Sequence, residues 1–237
     1  MSLTRSTSLR LAALAIAAAL AGCGGSAPPD LLITGTAALG APVVNGAVVV
    51  TCAKGTGTAT STGTGSYSVV VIAGEGPCLL KITPPGGVPM YSFSTGTTTE
   101  FTANITPLTN MLVTYMMNVP GATASSPETW FALPAVQSFL AVPAAVDARI
   151  VGDFLPLIKT IAASGGVTLT LNNADFLRTP FVANPTTSPL DAALVQLKTA
   201  NVVTSTGAPT AATTMTVTSS AKTAKPVPPT TTGSGGG

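Results

Sequence analysis

The sequence contains no histidine and unusually little charge. Of its 237 residues, 8% are charged, 5% are aromatic, and three are cysteines. The absence of histidine excludes Ser–His–Asp and Cys–His nucleophile systems and most catalytic zinc sites. Charged residues normally make up about a quarter of a soluble protein. Here Thr, Ser, Ala and Gly take the place of Lys and Glu, a composition typical of exported, β-rich proteins.

The eight acidic residues form no pattern for metal binding or acid catalysis, since neither Asp-x-Asp nor Glu-x-x-Glu occurs among them. Asp147 and Asp153 are two helical turns apart, and the nearby Arg149 and Lys159 favour surface ion pairs. The glycine-rich segment 55–57 lacks the lysine of a phosphate-binding loop. We therefore predict no catalytic residue, no metal site, no cofactor and a protein that is not an enzyme.

The first 22 residues have the layout of an export signal. Arg5 and Arg10 precede an apolar segment, 11–21, which is shorter than the roughly 20 residues that span a bilayer. The sequence Leu20-Ala21-Gly22-Cys23 then resembles a bacterial lipobox. In lipoproteins with this motif the cysteine sulfur receives a diacylglyceryl group, the preceding peptide is removed, and the new amino terminus is acylated. The resemblance implies a signal peptide over 1–22 and a lipidated Cys23.

Lipidation would anchor the chain stably, because several acyl chains hold a protein where one does not. By the same resemblance, Gly24 after the cysteine favours the outer membrane, and 23–30 are expected to be a flexible tether. Two alternatives are an ordinary signal peptide with a chance cysteine and a free third thiol.

Removing Arg5 and Arg10 lowers Lys plus Arg from 10 to 8, which equals the 8 acidic residues. A formally neutral mature chain gives no reason to expect a nucleic-acid partner.

Short apolar segments separated by Gly, Pro and Asn fill residues 31–105. Their β-branched residues predict strands, and Asn45-Gly46 predicts a tight turn. The spacing is typical of an antiparallel β-sandwich. The predicted strands cover 31–37, 46–53, 56–61, 66–73, 77–83, 88–93 and 98–105.

Cys52 and Cys78 both fall on apolar strand faces. Counted by twos, Cys52 shares its face with Val50, and Cys78 shares its face with Leu80. An oxidising compartment favours a Cys52–Cys78 disulfide. The alternatives are two buried free thiols or a metal pair, which two thiols without histidine cannot complete.

The same region resembles a known family of accessory domains. Its segments Gly40-Ala41-Pro42-Val43, Gly46-Ala47-Val48-Val49-Val50 and Gly65-Ser66-Tyr67-Ser68-Val69 are similar to motifs of the carboxypeptidase regulatory-like, transthyretin-like β-sandwich domain. Members of that family are non-catalytic. The resemblance implies a role in support or binding and provides no active site.

From Thr106 the apolar period becomes helical. Thr106-Pro107 predicts a helix start, and Ser125-x-x-Glu128 predicts a second one, running to about residue 140 with Pro134 ending or kinking it. A long helix is expected over 144–163 with a kink at Pro156. Further expectations are a strand over 167–171, a helical turn over 173–177 and a helix over 188–200. The predicted fold class is therefore α+β, a β-sandwich domain over 31–105 followed by a small helical domain over 106–203.

The last segment, 204–237, consists mainly of Thr, Ser, Ala, Pro and Gly, with two lysines and no acidic residue. Such a composition buries too little apolar surface to offset the entropy of ordering. We expect a disordered tail.

Three functional hypotheses follow. The first is a lipid-anchored envelope protein that acts as a non-enzymatic scaffold or interaction module. The second is an envelope binding protein for a glycan, a peptide or a small apolar ligand, with Trp130, Tyr91 and Phe93 as candidate ligand contacts; packing of these aromatics in the core is the alternative. The third is a histidine-free hydrolase, in which Lys81 or Lys159 would contact a serine. Expected partners are the membrane, through the lipid on Cys23, and an envelope protein or glycan.

Overall fold

A computed structural model describes residues 29–229. The predicted signal peptide, Cys23 and the tether up to 28 lie outside the described residues, as does the end of the tail, 230–237. Residues 29–229 contain two β-sheets and eight α-helices, which confirms the α+β class. No helix in this range is both long and apolar enough to cross a bilayer.

All seven predicted strands are present, with small differences at their ends. One sheet has the order β4-β1-β7 and the other the order β3-β2-β5-β6. The strands are β1 Leu31–Thr36, β2 Ala47–Lys54, β3 Thr56–Thr60, β4 Ser66–Val71, β5 Glu75–Thr83, β6 Met90–Phe93 and β7 Glu100–Thr102.

The sheets are not entirely antiparallel, and in this respect the prediction is wrong. β7 runs parallel to β1, with Leu32 opposite Glu100 and Thr34 opposite Thr102. The chain leaves the first sheet after β4, forms β5 and β6 of the second sheet, and returns in the same direction as β1. Two parallel strands can be joined only by such a crossover connection, whereas antiparallel neighbours can also be joined by a short turn.

Side chains of both sheets share one apolar cluster. Ile33 and Val69 contribute from the first sheet, and Val50 and Leu80 contribute from the second. Alternate residues of β2 and β4 are buried, as expected for strands with one apolar face. The same cluster contains the predicted disulfide.

Cys52 and Cys78 are bonded to each other and lie directly opposite on β2 and β5, with Cα atoms 3.8 Å apart. Both are buried. The predicted disulfide is therefore confirmed, and it links two neighbouring strands of one sheet.

Most helices begin at a proline. A proline in the first turn costs no hydrogen bond, because the N–H groups there have no partner within the helix. The helices are α1 Pro107–Met116, α2 Pro127–Phe131, α3 Pro134–Leu140, α4 Pro143–Arg149, α5 Leu155–Ser164, α6 Asp175–Arg178, α7 Pro189–Thr199 and α8 Ala211–Lys222.

Hydroxyl side chains cap several of these helices. Thr106 and Thr109 form a reciprocal capping box at α1, as Ser126 and Thr129 do at α2. The cap of α2 is thus Ser126 and not the predicted Ser125, because the hydroxyl of Thr129 returns the hydrogen bond.

The long helix expected over 144–163 is interrupted by one π-helical turn, Ile150–Phe154. The N–H of Leu155 bonds to the carbonyl of Ile150, five residues back. Pro156 follows at once and has no N–H to donate, so the wider turn accommodates its ring. The predicted irregularity at Pro156 is present as this turn between α4 and α5.

Two predictions in the second half are wrong. Residues 167–171 form no strand; Leu169 alone is turned inward between exposed neighbours, and this burial explains the alternating pattern. The tail is not disordered from 204 to 229, because α8 packs against α1 and α5. Thr210 caps α8, and Val217 and Ala221 are buried one turn apart. Small apolar residues at helical spacing are sufficient for a helix that docks on a formed core.

Candidate functional site

A surface cavity of about 350 Å³ lies between the π-helical turn and the end of α8. It is open to solvent on one side. Its lining residues are Tyr115, Gly152, Asp153, Leu157, Ser220, Thr223 and Ala224. A π-helical turn often marks a functional site, because it rotates side chains away from their α-helical positions.

A buried arginine lies behind this cavity. Only 8% of Arg149 is exposed. Its guanidinium is 3.3 Å from the Asp153 carboxylate, and it donates a hydrogen bond of 2.7 Å to the carbonyl of Lys225 and one of 3.5 Å to that of Pro226. The arginine therefore holds Asp153 and the chain after α8 in place together.

Buried aromatic side chains pack next to the cavity. Tyr115 is buried with its ring centroid 5.8 Å from that of Phe154, which in turn lies 6.2 Å from that of Phe176. Burial and the Asp153 carboxylate raise the pKa of the Tyr115 hydroxyl, and the Arg149 guanidinium partly offsets this rise. The hydroxyl stays protonated at neutral pH and is available as a neutral hydrogen-bonding group.

The lining of the cavity is mostly polar. Asp153 offers a partly exposed carboxylate whose charge is offset by Arg149. Ser220 and Thr223 add hydroxyl groups, and Leu157 adds an apolar wall. Acceptors, hydroxyls and a small apolar surface together suit a small polyhydroxylated ligand. The basic group next to the carboxylate, Arg149, already bonds to Asp153 and to the chain after α8.

Two of the three candidate ligand contacts, Trp130 and Phe93, are buried. Trp130 and Phe93 are buried in the helical core with ring centroids 5.8 Å apart. The indole N–H of Trp130 has no hydrogen-bond partner among the described residues. Core packing, the alternative stated for these residues, is therefore what the structure has. They face inward because α2 brings Trp130 onto the side of β6 that carries Phe93.

Tyr91 is the one candidate of this set at the surface. Its hydroxyl donates a 2.8 Å hydrogen bond to Glu128, and Lys81 lies 5.9 Å from its ring centroid and 3.9 Å from Glu128. Partial burial and the bond to Glu128 raise the pKa of Tyr91 to about 12. This cluster ties α2 to the second sheet.

The remaining charged candidates have structural partners. Asp147 pairs with Arg178, and Asp153 pairs with Arg149. Lys159 donates to Asn172 at 2.9 Å. Ser–Lys chemistry needs a serine beside the lysine. The partner of Lys159 is instead the amide of Asn172, and the group near Lys81 is the carboxylate of Glu128. Within residues 29–229, no three acidic or cysteine side chains lie close enough to hold a metal ion.

Sequence reasoning missed half of the cavity, because Ser220 and Thr223 belong to the segment expected to be disordered. A usable signal was present. Thr210 followed by Thr213 is a capping pattern, and Val217 and Ala221 continue it at helical spacing. The Arg149–Asp153 pair was anticipated as an ion pair, but its burial depends on residues 225 and 226, far along the chain.

Comparison with known proteins adds no relative. No protein-family model, no curated protein sequence and no solved structure matches this chain. Proposals for its function therefore rest on its own residues.

Proposed function

We propose that this protein is a membrane-anchored lipoprotein of the bacterial cell envelope that acts as a non-enzymatic scaffold or interaction module. The observation that carries the proposal is the lipobox-like sequence Leu20-Ala21-Gly22-Cys23 after a short apolar segment, close ahead of a folded domain that starts at Leu31. The lipid on Cys23 would hold that domain at the membrane surface, with the outer membrane as the expected location.

The disulfide supports export. Cys52 and Cys78 are bonded within the core, and disulfides persist in the oxidising periplasm or outside the cell rather than in the cytosol. Because Cys23 is not part of this pair, it remains available for acylation.

An interaction role is supported by the arrangement of the strands. The buried faces of both sheets contribute to one apolar cluster, and we propose that they form a β-sandwich of the carboxypeptidase regulatory-like type. Domains of that family are accessories without catalysis. The complete absence of histidine from the chain is consistent with such a role.

The mass of the intact protein from its native membrane fraction tests the anchor. A chain that starts at Cys23 with added acyl mass is expected, together with loss of both the added mass and membrane retention in Cys23→Ala. Ser26→Ala, which changes the tether and leaves the motif intact, is the matched control and should stay acylated. A soluble, unacylated product cut near this site would contradict the proposal.

A second candidate function is binding of a glycan unit in the cavity beside α8. It is favoured by the combination of Asp153, Ser220 and Thr223 around one opening. Sugar hydroxyls can donate to the carboxylate and accept from the Ser220 hydroxyl. They can also donate to the oxygen of Thr223, whose own proton goes to the Ser220 carbonyl. A charged amine is less suited, because Arg149 offsets the charge of Asp153.

Titration of the folded protein with N-acetylglucosamine and other neutral monosaccharides, followed by NMR, tests this candidate. We expect shifts at the cavity residues and weaker binding in Asp153→Asn. Glu100→Gln, which removes the same charge from β7, should bind like the wild type. Failure of all the sugars to shift the cavity resonances would contradict it.

A further inference from the structure

The chain leaves the fold at one end of the first sheet. β1 starts at Leu31, and its antiparallel partner β4 ends beside it, with Leu31 opposite Val71. The Asp30 carboxylate accepts a 3.1 Å hydrogen bond from the N–H of Ala73. The turn after β4 is therefore fixed next to the residues that lead back to Cys23.

This end of the fold has a short connection to the lipidated cysteine. Six residues, 23–28, precede the first described residue, Pro29. A fully extended chain of that length spans about 20 Å. If Cys23 is anchored in lipid, the turn after β4 therefore stays within about that distance of the membrane surface.

The same end presents apolar side chains to solvent. Ile72 is 79% exposed and Val70 is 53% exposed. Leu32 lies directly opposite Val70 on β1 and is half-buried, on the same outer face of the sheet. Single exposed apolar residues are common on protein surfaces. Here two of them, Val70 and Ile72, are two residues apart, and half-buried Leu32 lies opposite Val70.

The charged residues near this end of the first sheet favour one kind of lipid surface over another. Asp30, Glu75 and Glu100 are acidic, and the basic Lys54 pairs with Glu75 at 3.0 Å. An acidic rim is not attracted to anionic lipid, whose surface recruits basic residues. Apolar contact with zwitterionic headgroups carries no such electrostatic cost.

We propose that Leu32, Val70 and Ile72 form a membrane-contact surface, which rests on a zwitterionic bilayer and orients the anchored domain. This inference rests on the proposed lipid anchor. Ile72 enters the headgroup region, so that the first sheet stands with the β4 end toward the lipid. Burial of apolar side chains in the membrane interface is favourable, because it removes them from water.

A tryptophan introduced at the contact reports its depth. The acylated protein carrying Ile72→Trp is reconstituted in vesicles of phosphatidylethanolamine and phosphatidylcholine, with and without brominated acyl chains. We expect a blue-shifted emission and quenching by the brominated lipid. Met215→Trp is the matched control, since Met215 is 68% exposed on α8, and its emission should stay unquenched. The wild-type protein gives the background of the buried Trp130.

The outcomes separate the contact from the anchor. Mass analysis and vesicle flotation of the same sample establish acylation and binding first; if either fails, the anchor itself is wrong. Bound, acylated protein in which Ile72→Trp is quenched no more than Met215→Trp would overturn the membrane contact alone. Val70→Trp provides a second probe of the same surface if Ile72→Trp does not fold, and the same comparison with Met215→Trp then decides.

Discussion

The strand region, 31–105, and the helical region, 106–229, are stabilised in different ways. The strand region has alternating burial, a disulfide and partners fixed by backbone pairing. The helical region has short helices with proline starts and hydroxyl caps, joined by buried aromatic contacts such as Tyr115–Phe154. Strand pairing and a covalent link hold the first region, whereas helix caps and the packing of buried aromatic side chains hold the second.

One buried side chain joins the two regions. The amide group of Asn104, just after β7, donates to the carbonyls of Phe176 and Thr179 and accepts from the N–H of Thr36. Asn104 is completely buried, so each of these bonds replaces water that the amide would otherwise need. The regions are therefore linked by a polar contact as well as by apolar packing.

The largest expected effect is in the helical core. Phe154→Ala should lower the free energy of unfolding by about 3 to 5 kcal/mol, because it opens a cavity between Tyr115 and Phe176. Chemical denaturation followed by Trp130 fluorescence measures this loss. Met215→Ala, at an exposed position of α8, should change stability little. A loss below about 1 kcal/mol would show that the aromatic contacts do not hold this region together.

Removing the disulfide tests the strand region in the same way. Cys52→Ala with Cys78→Ala should cost about 3 kcal/mol, since a closed loop of this size restricts the unfolded chain; the cysteines are 26 residues apart. Hydrogen exchange should show the loss of protection mainly in β2 and β5. Equal loss throughout the helices would mean that the regions unfold as one unit. Thr51→Ser, at the exposed position next to Cys52 on β2, is the control and should change stability little.

Replacing Arg149 tests how the segment after α8 is held against the helical core. Arg149→Met should cost about 2 kcal/mol, because bonds from a charged donor to the carbonyls of Lys225 and Pro226 are lost. Amide exchange over 223–227 should become faster. Lys159→Met, at a partly exposed lysine nearby, is the control. Unchanged exchange over 223–227 would contradict the anchoring role.

The smallest expected effect concerns Asp191 in the first turn of α7. Its side chain is buried, and burial raises the pKa of Asp191 although Lys198 and the backbone N–H of Gly40 act in the opposite direction. The folded state thus binds the proton more tightly than the unfolded state. Its contribution to stability is full below the usual value of 3.8 and is lost as the pH rises through the higher folded pKa.

Asp191→Asn should therefore raise the free energy of unfolding at pH 7. It should also flatten the decline in stability that begins above the usual pKa of 3.8. Urea unfolding at several pH values measures both. The exposed Glu100→Gln should leave the pH profile unchanged, and a wild-type profile without that decline would contradict the assignment.

These differences explain what the sequence could predict. The seven strands were predictable from local signals, namely their β-branched residues and the Gly and Pro residues between them. The disulfide was predictable because Cys52 and Cys78 both lie on apolar strand faces. The direction of β7 depends on a crossover that local signals do not encode. The order of α8 depends on docking against α1 and α5, and composition alone cannot report it. The cavity combines residues from both ends of the helical region, so only the folded chain brings them together.

The pairing of β1 has a consequence for the order of synthesis. β1 is the first strand made and the middle strand of its sheet, yet its partner β7 is completed only at Thr102. When the chain has emerged as far as Phe93, all four strands of the second sheet are available, but β1 still has an open edge. Unpaired edges readily join other chains. The emerging chain therefore passes through an interval in which β1 can pair wrongly, and that interval ends when β7 emerges.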